Sequence, residues 1–403
     1  MDVPHHFHID GLAPNTVERP TTVDGIVAVL TDASAVGWAV APTGGGGALH
    51  LGNLIDRYDL ALDMRGMSRI LDHQAADLVL SVEAGVSLSD VSEALARHGQ
   101  WLPIEAPDPS RATIGGLIAT ALSGPGKLAH GSLRDYLIGI SFVTPTSGLA
   151  KAGGMVVKNV SGFDLMRLHH GALGTLGVIA SANFKVLPAP RGQASVIHDS
   201  ADLAAALAAI GIVESEGRRT SASVVQMVGD SVSLTARFDG IPGQVGVSAT
   251  SASARLGSGS RVLVEDESRA WWRELIDGLR RPSGESVEVR FGCRPGGVAA
   301  TAGAILAAAT EHDISTESIR LWPGLGALII RLHPSVDARA LDALLDASVA
   351  TGATWRVTSA PVSVKAGRDV WGQPPASLAT MRRLKEQFDP GRILNPGRFS
   401  GHI

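Results

Sequence analysis

The sequence predicts an α+β protein of two domains, and three observations carry the prediction. At 403 residues the chain exceeds the roughly 250–300 residues at which a single core stops growing. Short β-like runs between glycine-rich turns fill its first half, whereas from about residue 193 helical and alternating patterns take turns, as when helices cover a mainly antiparallel sheet. Pro188-Ala-Pro190 punctuates the change of pattern. The expected division is 1–190, 191–365, and a C-terminal segment 366–403 that returns to the first domain.

Val23, Ile26, Val27 and Leu30 have helical spacing, so a helix is expected over 22–32 and a strand over 35–41, leading into a run of glycines. Residues 60–63 and 78–83 read as strands. Ser87-Leu-Ser-Asp90 is a capping-box variant that opens a helix through Arg97, with Leu88, Val91 and Leu95 on its buried face. Strands follow at 137–144 and 178–187. In the second half, helices are expected at 201–210, 242–256, 268–280, 297–311 and 337–350. The strands among them fall at 222–228, 231–238, 286–291, 318–323, 326–332 and 354–358, with the helices on one face of the sheet. A last helix, 377–388, is stopped by Asp389-Pro390.

Composition excludes several classes. A net charge of -4 gives no basic field for a nucleic-acid backbone. The longest uncharged stretch, 295–310, is 16 residues, short of the ~20 that a spanning helix needs, and reads as a buried helix. MDVPHHFHID has neither the basic nor the apolar region of a secretory leader, so a cytoplasmic protein is expected. Cys293 is the single cysteine, which rules out an internal disulfide and a multi-cysteine metal site in this chain; it is expected in the core.

Pro42-Thr43-Gly44-Gly45-Gly46-Gly47-Ala48 is the sharpest motif. Residues without Cβ let the backbone take positive φ and aim successive N–H groups at one anion, for which a diphosphate is the natural guest, though the same run would also serve a flexible loop. No G-x-G-x-x-G fits, and Gly126-Lys127 lacks the upstream glycine of a P-loop, so a nicotinamide Rossmann domain and an NTPase are set aside. In a second segment, Pro107 to Gly116, Thr113 caps a helix beginning Ile114-Gly115-Gly116, whose free amides would face phosphate or ribose. Ser123-Gly124 and His130-Gly131-Ser132-Leu133-Arg134-Asp135 follow. A third segment runs from Lys158-Asn159 through Gly162 to Gly171-Ala-Leu-Gly174-Thr175-Leu176-Gly177-Val178.

Taken in order, these segments and the terminal Asp389-Pro-Gly-Arg-Ile-Leu-Asn395-Pro-Gly397 resemble the FAD-linked oxidases of the vanillyl-alcohol-oxidase or PCMH type. Gly153 to Asp164 is most similar to the smaller flavin subunit of bacterial glycolate oxidase, which works beside a larger flavin subunit and an iron–sulfur subunit. The resemblance implies a PCMH-type FAD-binding domain of two subdomains with an α+β cap domain. By the same resemblance, Thr43 to Ala48 contacts the pyrophosphate, and Pro107, Thr113, Ile114, Gly115 and Gly116 border the cofactor. Ser123, Gly124, Gly131 and Asp135 would line its ribityl and adenosine parts, Gly177 and Val178 its adenine side, and Asn395 would close over the flavin. It further implies oxidation of a 2-hydroxy acid, electrons received from a substrate or a flavin subunit, an iron–sulfur partner, and a complex peripheral to the inner membrane; the alternatives are an independent FAD-dependent oxidase or dehydrogenase of another alcohol or sugar acid, and a non-catalytic structural subunit.

In such proteins the flavin accepts the hydride and the polypeptide binds and orients. Lys158 and Arg134 would lie near flavin or phosphate, or serve as surface ion-pair residues. His50 or His130 would be the residues to carry a covalent link, but non-covalent FAD is expected. No metal site is expected: His312 and His333 stand alone, and His6 and His8 sit on a terminus expected to be untethered. The histidine cluster common in stand-alone 2-hydroxy-acid dehydrogenases of this superfamily is missing. No residue is assigned as catalytic base, and Trp271-Trp272 is expected to anchor a core or an interface.

Overall fold

The computed structural model describes residues 3–155, 163–214, 219–280 and 286–403. The chain divides into two compact units, one of Met1–Ser123, Ser132–Ala189 and Ala366–Ile403, the other of Gly124–Gly131 and Pro190–Lys365.

In the first unit, β1 (Thr16–Glu18), β2 (Val40–Thr43) and β3 (Leu60–Asp63) form a parallel sheet in the order β1-β3-β2. The helix α1 (Val23–Val36) joins β1 to β2. The Thr22 hydroxyl accepts the Gly25 amide at its start, and Gly37, at φ 72°, supplies the left-handed stop. Ile26, Leu30 and Ala33 bury its inner face against Val40, Leu60 and Leu62. Ala35 and Val36 are thus helical, not the start of a strand; the helix runs on to the glycine because that packing continues to Ala33.

β4 (Ile70–Gln74), β5 (Val79–Glu83), β6 (Leu137–Thr144), β7 (Gly148–Gly153) and β8 (Val178–Lys185) make an antiparallel sheet ordered β4-β5-β8-β6-β7. Its inner face, with Leu80, Val82, Ile140, Phe142, Ala182 and Phe184, packs on α2 (Leu88–Ala96) and α3 (Ile114–Thr120). Each of these buried side chains other than Ala182 contributes about 1.5–3 kcal/mol of transfer free energy.

The second unit is one antiparallel sheet of eight strands. They are β9 (Gly192–Ser200), β10 (Ala222–Val228), β11 (Ser231–Gly240), β12 (Ser260–Val264), β13 (Val287–Gly292), β14 (Thr316–Trp322), β15 (Ala327–Leu332) and β16 (Thr354–Ser359), in the order β12-β9-β11-β10-β14-β15-β13-β16. The strands β9 and β12 are absent from the sequence expectation, which began the second half at the helix 201–210 and later passed from one helix to the next; the five residues of β12, between Gly259 and Glu265, give too little alternation to stand out. One helix, Glu265–Asp277, departs from the expectation that all helices share a face. It seats Trp272 on the side of Ser195, Arg237 and Ala222, whereas the helix Pro242–Leu256 packs on the opposite side, where Gly192 and Gly240 lie. Among the described residues no helix is long and apolar enough to cross a membrane.

Candidate functional site

The site grows from the end of β2. Pairing of Val40 to Thr43 with Leu60 to Asp63 fixes the strand, and its other edge is taken by the C-terminal segment: the Val40 amide donates to the Ile393 carbonyl at 2.7 Å and the Asn395 amide to the Val40 carbonyl at 3.0 Å. The chain leaves this clamped strand as the glycine loop. Each glycine there answers a different demand. A Cβ on Gly44 would strike the Thr113 hydroxyl and one on Gly45 the Arg111 carbonyl, Gly46 has φ +77°, and Gly47 faces open space. Only Gly46 uses the left-handed freedom; Gly44 and Gly45 are small because the segment 111–113 lies against them. Arg111 also donates to the Gly45 carbonyl at 2.8 Å. The amides of Gly45, Gly46, Gly47 and Ala48 meet no acceptor among the described residues. Gly45 is buried, Gly46 and Ala48 are half-buried and Gly47 is exposed; free donors gathered in one loop are what an anionic diphosphate needs.

The start of α3 is a different matter, and here the sequence expectation is overturned. The Ile114 amide donates to Val86 O at 3.0 Å, the Gly115 amide to Ala84 O at 2.7 Å, and the Gly116 amide to the Thr113 hydroxyl at 3.3 Å. These first-turn donors are spent on the protein, so they are not free for phosphate. Gly115 is instead a close-approach glycine, its missing Cβ only 2.8 Å from Ala84 Cβ.

Between loop and helix lies a cleft of about 410 Å³, open to solvent and lined by Pro42, Thr43, Gly44, Met64, Ala84, Thr113, Gly115, Gly116, Ala119, Leu173, Gly174, Gly177 and Ile179. Seven of these were singled out in the sequence: Pro42, Thr43, Gly44, Thr113, Gly115, Gly116 and Gly177. Gly174 falls in the third segment noted in the sequence without being assigned to the cofactor, and Met64, Ala84, Ala119, Leu173 and Ile179 were not singled out, because single apolar residues carry no local signal; the positive φ of Leu173, 50°, appears only in the fold. Among the described residues, none that lines the cleft is titratable.

Other expected site residues do other work. Ile114 is buried in the core, and Val178, paired with Val143, belongs to the core under α1. Asp135 accepts the Ser132 amide and hydroxyl at 2.7 and 2.9 Å in a capping box. Arg134 is exposed, Pro107 and Ser123 are half-buried outside the cleft lining, and Gly124 and Gly131 belong to the second unit. Lys158, Asn159 and Gly162 lie outside the described residues. Asn395, at φ 43° and buried, donates to the Leu173 carbonyl at 2.6 Å and accepts from Arg398 at 3.1 Å, so it fixes the cleft wall from behind. Arg398, which burial pushes down to about 10, remains charged and donates to Leu49 O and Leu51 O at 2.7 and 2.8 Å, just past the glycine loop.

The amino terminus is tied down, contrary to expectation. Phe7 and Ile9 are buried, Tyr58 donates to the Phe7 carbonyl at 2.7 Å, and His6 lies 3.0 Å from an Arg65 nitrogen. Two apolar anchors in the first nine residues outweigh the polar histidines between them. Cys293 is half-buried, and Trp272 is a core anchor whose indole donates to Ser195 at 2.8 Å. Among the described residues no group of three or more His, Cys, Asp or Glu could hold a metal.

His169 supports the cleft from inside. Its ring is buried 3.9 Å from that of Phe142, and its Nε2 has no partner. Burial lowers its pKa from 6.5 to about 4, so it is neutral at neutral pH. The unfolded chain takes the proton first, and stability falls as pH drops from about 6.5 to 4, by up to ~3 kcal/mol from this residue. Urea unfolding of His169→Leu should show that much less acid loss than the parent; parallel pH curves would mean that His169 does not titrate this way.

A strand-borne glycine cradle with free amides, beside an antiparallel sheet and an apolar cleft, defines an FAD-binding fold of the PCMH type. Residues 14–153 match the FAD binding domain family, and FAD is the cofactor. The chain is 39% identical over 136 residues to glycolate oxidase subunit GlcE of Escherichia coli, a match covering 34% of this chain and 39% of that one. It is 31% identical over 191 residues to a D-lactate dehydrogenase of Anaerostipes hadrus, covering 46% of this chain and 38% of that one. The matches thus span about two fifths of each relative. Alkyldihydroxyacetonephosphate synthase shares the fold, with a TM-score of 0.69 at 17% identity over 95% of this chain and 77% of that one.

Proposed function

We propose that the chain is an FAD-dependent oxidoreductase subunit of a glycolate-oxidase-like complex, passing on electrons from the oxidation of glycolate to glyoxylate. The similarity to glycolate oxidase subunit GlcE carries this reading. The cleft adds to it: Gly45 to Ala48 offer amides to the diphosphate, Pro42, Met64, Leu173 and Ile179 exclude water, and no lining group takes a proton. Bound FAD would supply the electron-accepting chemistry. In this reading, electrons come from a partner flavin subunit and leave through an iron–sulfur subunit. A second reading, an independent 2-hydroxy-acid dehydrogenase, draws on the D-lactate dehydrogenase match.

The purified chain is expected to show a flavin spectrum and to release FAD on denaturation, identified by mass. Anaerobic glycolate or D-lactate should leave that spectrum unbleached until partner subunits are added. Bleaching by either acid in the isolated chain would favour the independent enzyme, and failure to bind added FAD would overturn both readings.

A further inference from the structure

The sheet of the second unit gathers four arginines on one face. Arg290 of β13 stands directly opposite Arg356 of β16, and on the other side opposite Ile329 of β15, which in turn faces Arg320 of β14. Arg331 of β15 stands opposite Glu288. Directly opposed residues in an antiparallel pair project to the same side with Cβ atoms about 4.5–5.5 Å apart, and like charges there are destabilising. All four arginines are half-buried.

Two of them are spoken for. Arg331 donates to Glu288 at 2.9 Å and to Arg280 O at 2.6 Å, and Arg320 donates to Gly278 O at 2.6 Å, so both tie down the end of the helix Glu265–Asp277. Glu288, the carboxylate in the group, spends its other oxygen on the Thr358 hydroxyl at 2.7 Å. Arg290 and Arg356 have no hydrogen-bond or ion-pair partner among the described residues, and Arg290 Nε is shut off from water without an acceptor. Burial and the facing guanidinium depress Arg356 to about 10, and burial depresses Arg290 as well, in both cases against the opposing charge of Glu288. Two opposed forks with unused donors give stability no benefit that apolar side chains would not exceed. A guanidinium fork can hold a planar oxyanion in bidentate fashion, which a single ammonium cannot.

We propose that Arg290 and Arg356 form an anion site in the second unit that binds a small carboxylate. The site goes beyond the flavin reading and does not depend on it.

The test is calorimetric titration of the full-length, FAD-loaded chain with glycolate, malonate and inorganic phosphate at constant ionic strength, with melting temperature and FAD content followed in parallel. A carboxylate should bind, and Arg290→Lys, Arg290→Met and Arg356→Met should each weaken it by at least about tenfold. The exposed Arg339→Met serves as the charge control and should bind as the parent does. Without ligand, Arg290→Met should melt no lower than the parent, because it removes an unpaired charge. No carboxylate binding, binding of phosphate alone, equal affinity in the fork variants, or a drop in melting temperature with affinity unchanged would each overturn the proposal. FAD content reports on the flavin reading separately.

Discussion

Gly45→Val will purify without FAD, while Gly47→Ala will keep it. The two positions are neighbours in one glycine run and differ only in what surrounds them. A Cβ on Gly45 would fall on the Arg111 carbonyl, whereas nothing lies within 4 Å of one on Gly47. A backbone carbonyl cannot swing aside as a side-chain tip can, so the loop must lift away from the segment 111–113, breaking the Arg111 bond to Gly45 O. Overpacking of this kind costs about 1–3 kcal/mol or more, and it displaces the four free amides together. The expected loss is at least about a hundredfold in FAD affinity, read by flavin fluorescence during titration of the apoprotein. An intact melting transition would show that the chain still folds. FAD retained by Gly45→Val, or lost from Gly47→Ala, would sink this account of the loop.

Lys385→Met should be the most damaging single change outside the loop. Lys385 lies in the helix Leu378–Phe388 with its ammonium buried, donating to Thr175 O at 2.8 Å, to Asp389 at 2.7 Å and to Leu394 O at 2.7 Å. Asp389 is buried completely and also accepts the Ile393 and Leu394 amides at 3.1 and 2.8 Å. The lysine thus joins the segment that covers β2 to the Leu173–Gly177 stretch that walls the cleft. Removing it strands a carboxylate in the core and leaves two carbonyls without their donor, a loss of about 3–5 kcal/mol in urea unfolding, accompanied by weaker FAD binding. Replacing both partners, as in Lys385→Met with Asp389→Leu, should recover part of the stability because no buried charge is left. A loss below about 1 kcal/mol in the single variant would show that water reaches the pair.

The two predictions rest on residues that the sequence rated very differently. Gly45 stood out at once, because a glycine run after a strand is a local pattern with a local meaning. Lys385 did not, since one lysine on an amphipathic helix looks like any solvated charge; its partners are Thr175, 210 residues away, and the Asp389-Pro-Gly-Arg turn. Asn395 was noticed, but as a lid; its buried amide instead holds the Leu173 carbonyl. The α3 amides were read as free because a helix start has unsatisfied donors by default, and nothing in the sequence shows that Val86 and Ala84 lie in front of them.

The sequence by itself determined many of the elements and singled out the glycine loop. Periodicity set strands such as Leu60–Asp63 and helices such as Pro242–Leu256 to the residue, and lack of Cβ marked where the backbone makes close approaches. Those properties depend on neighbours within a turn or two. The tertiary structure alone decided which donors stay free, which glycines answer to packing and which to φ, and that Arg290 faces Arg356 without a carboxylate between them. Each of those is a meeting of segments distant along the chain, and whether a buried polar group is satisfied depends on that meeting.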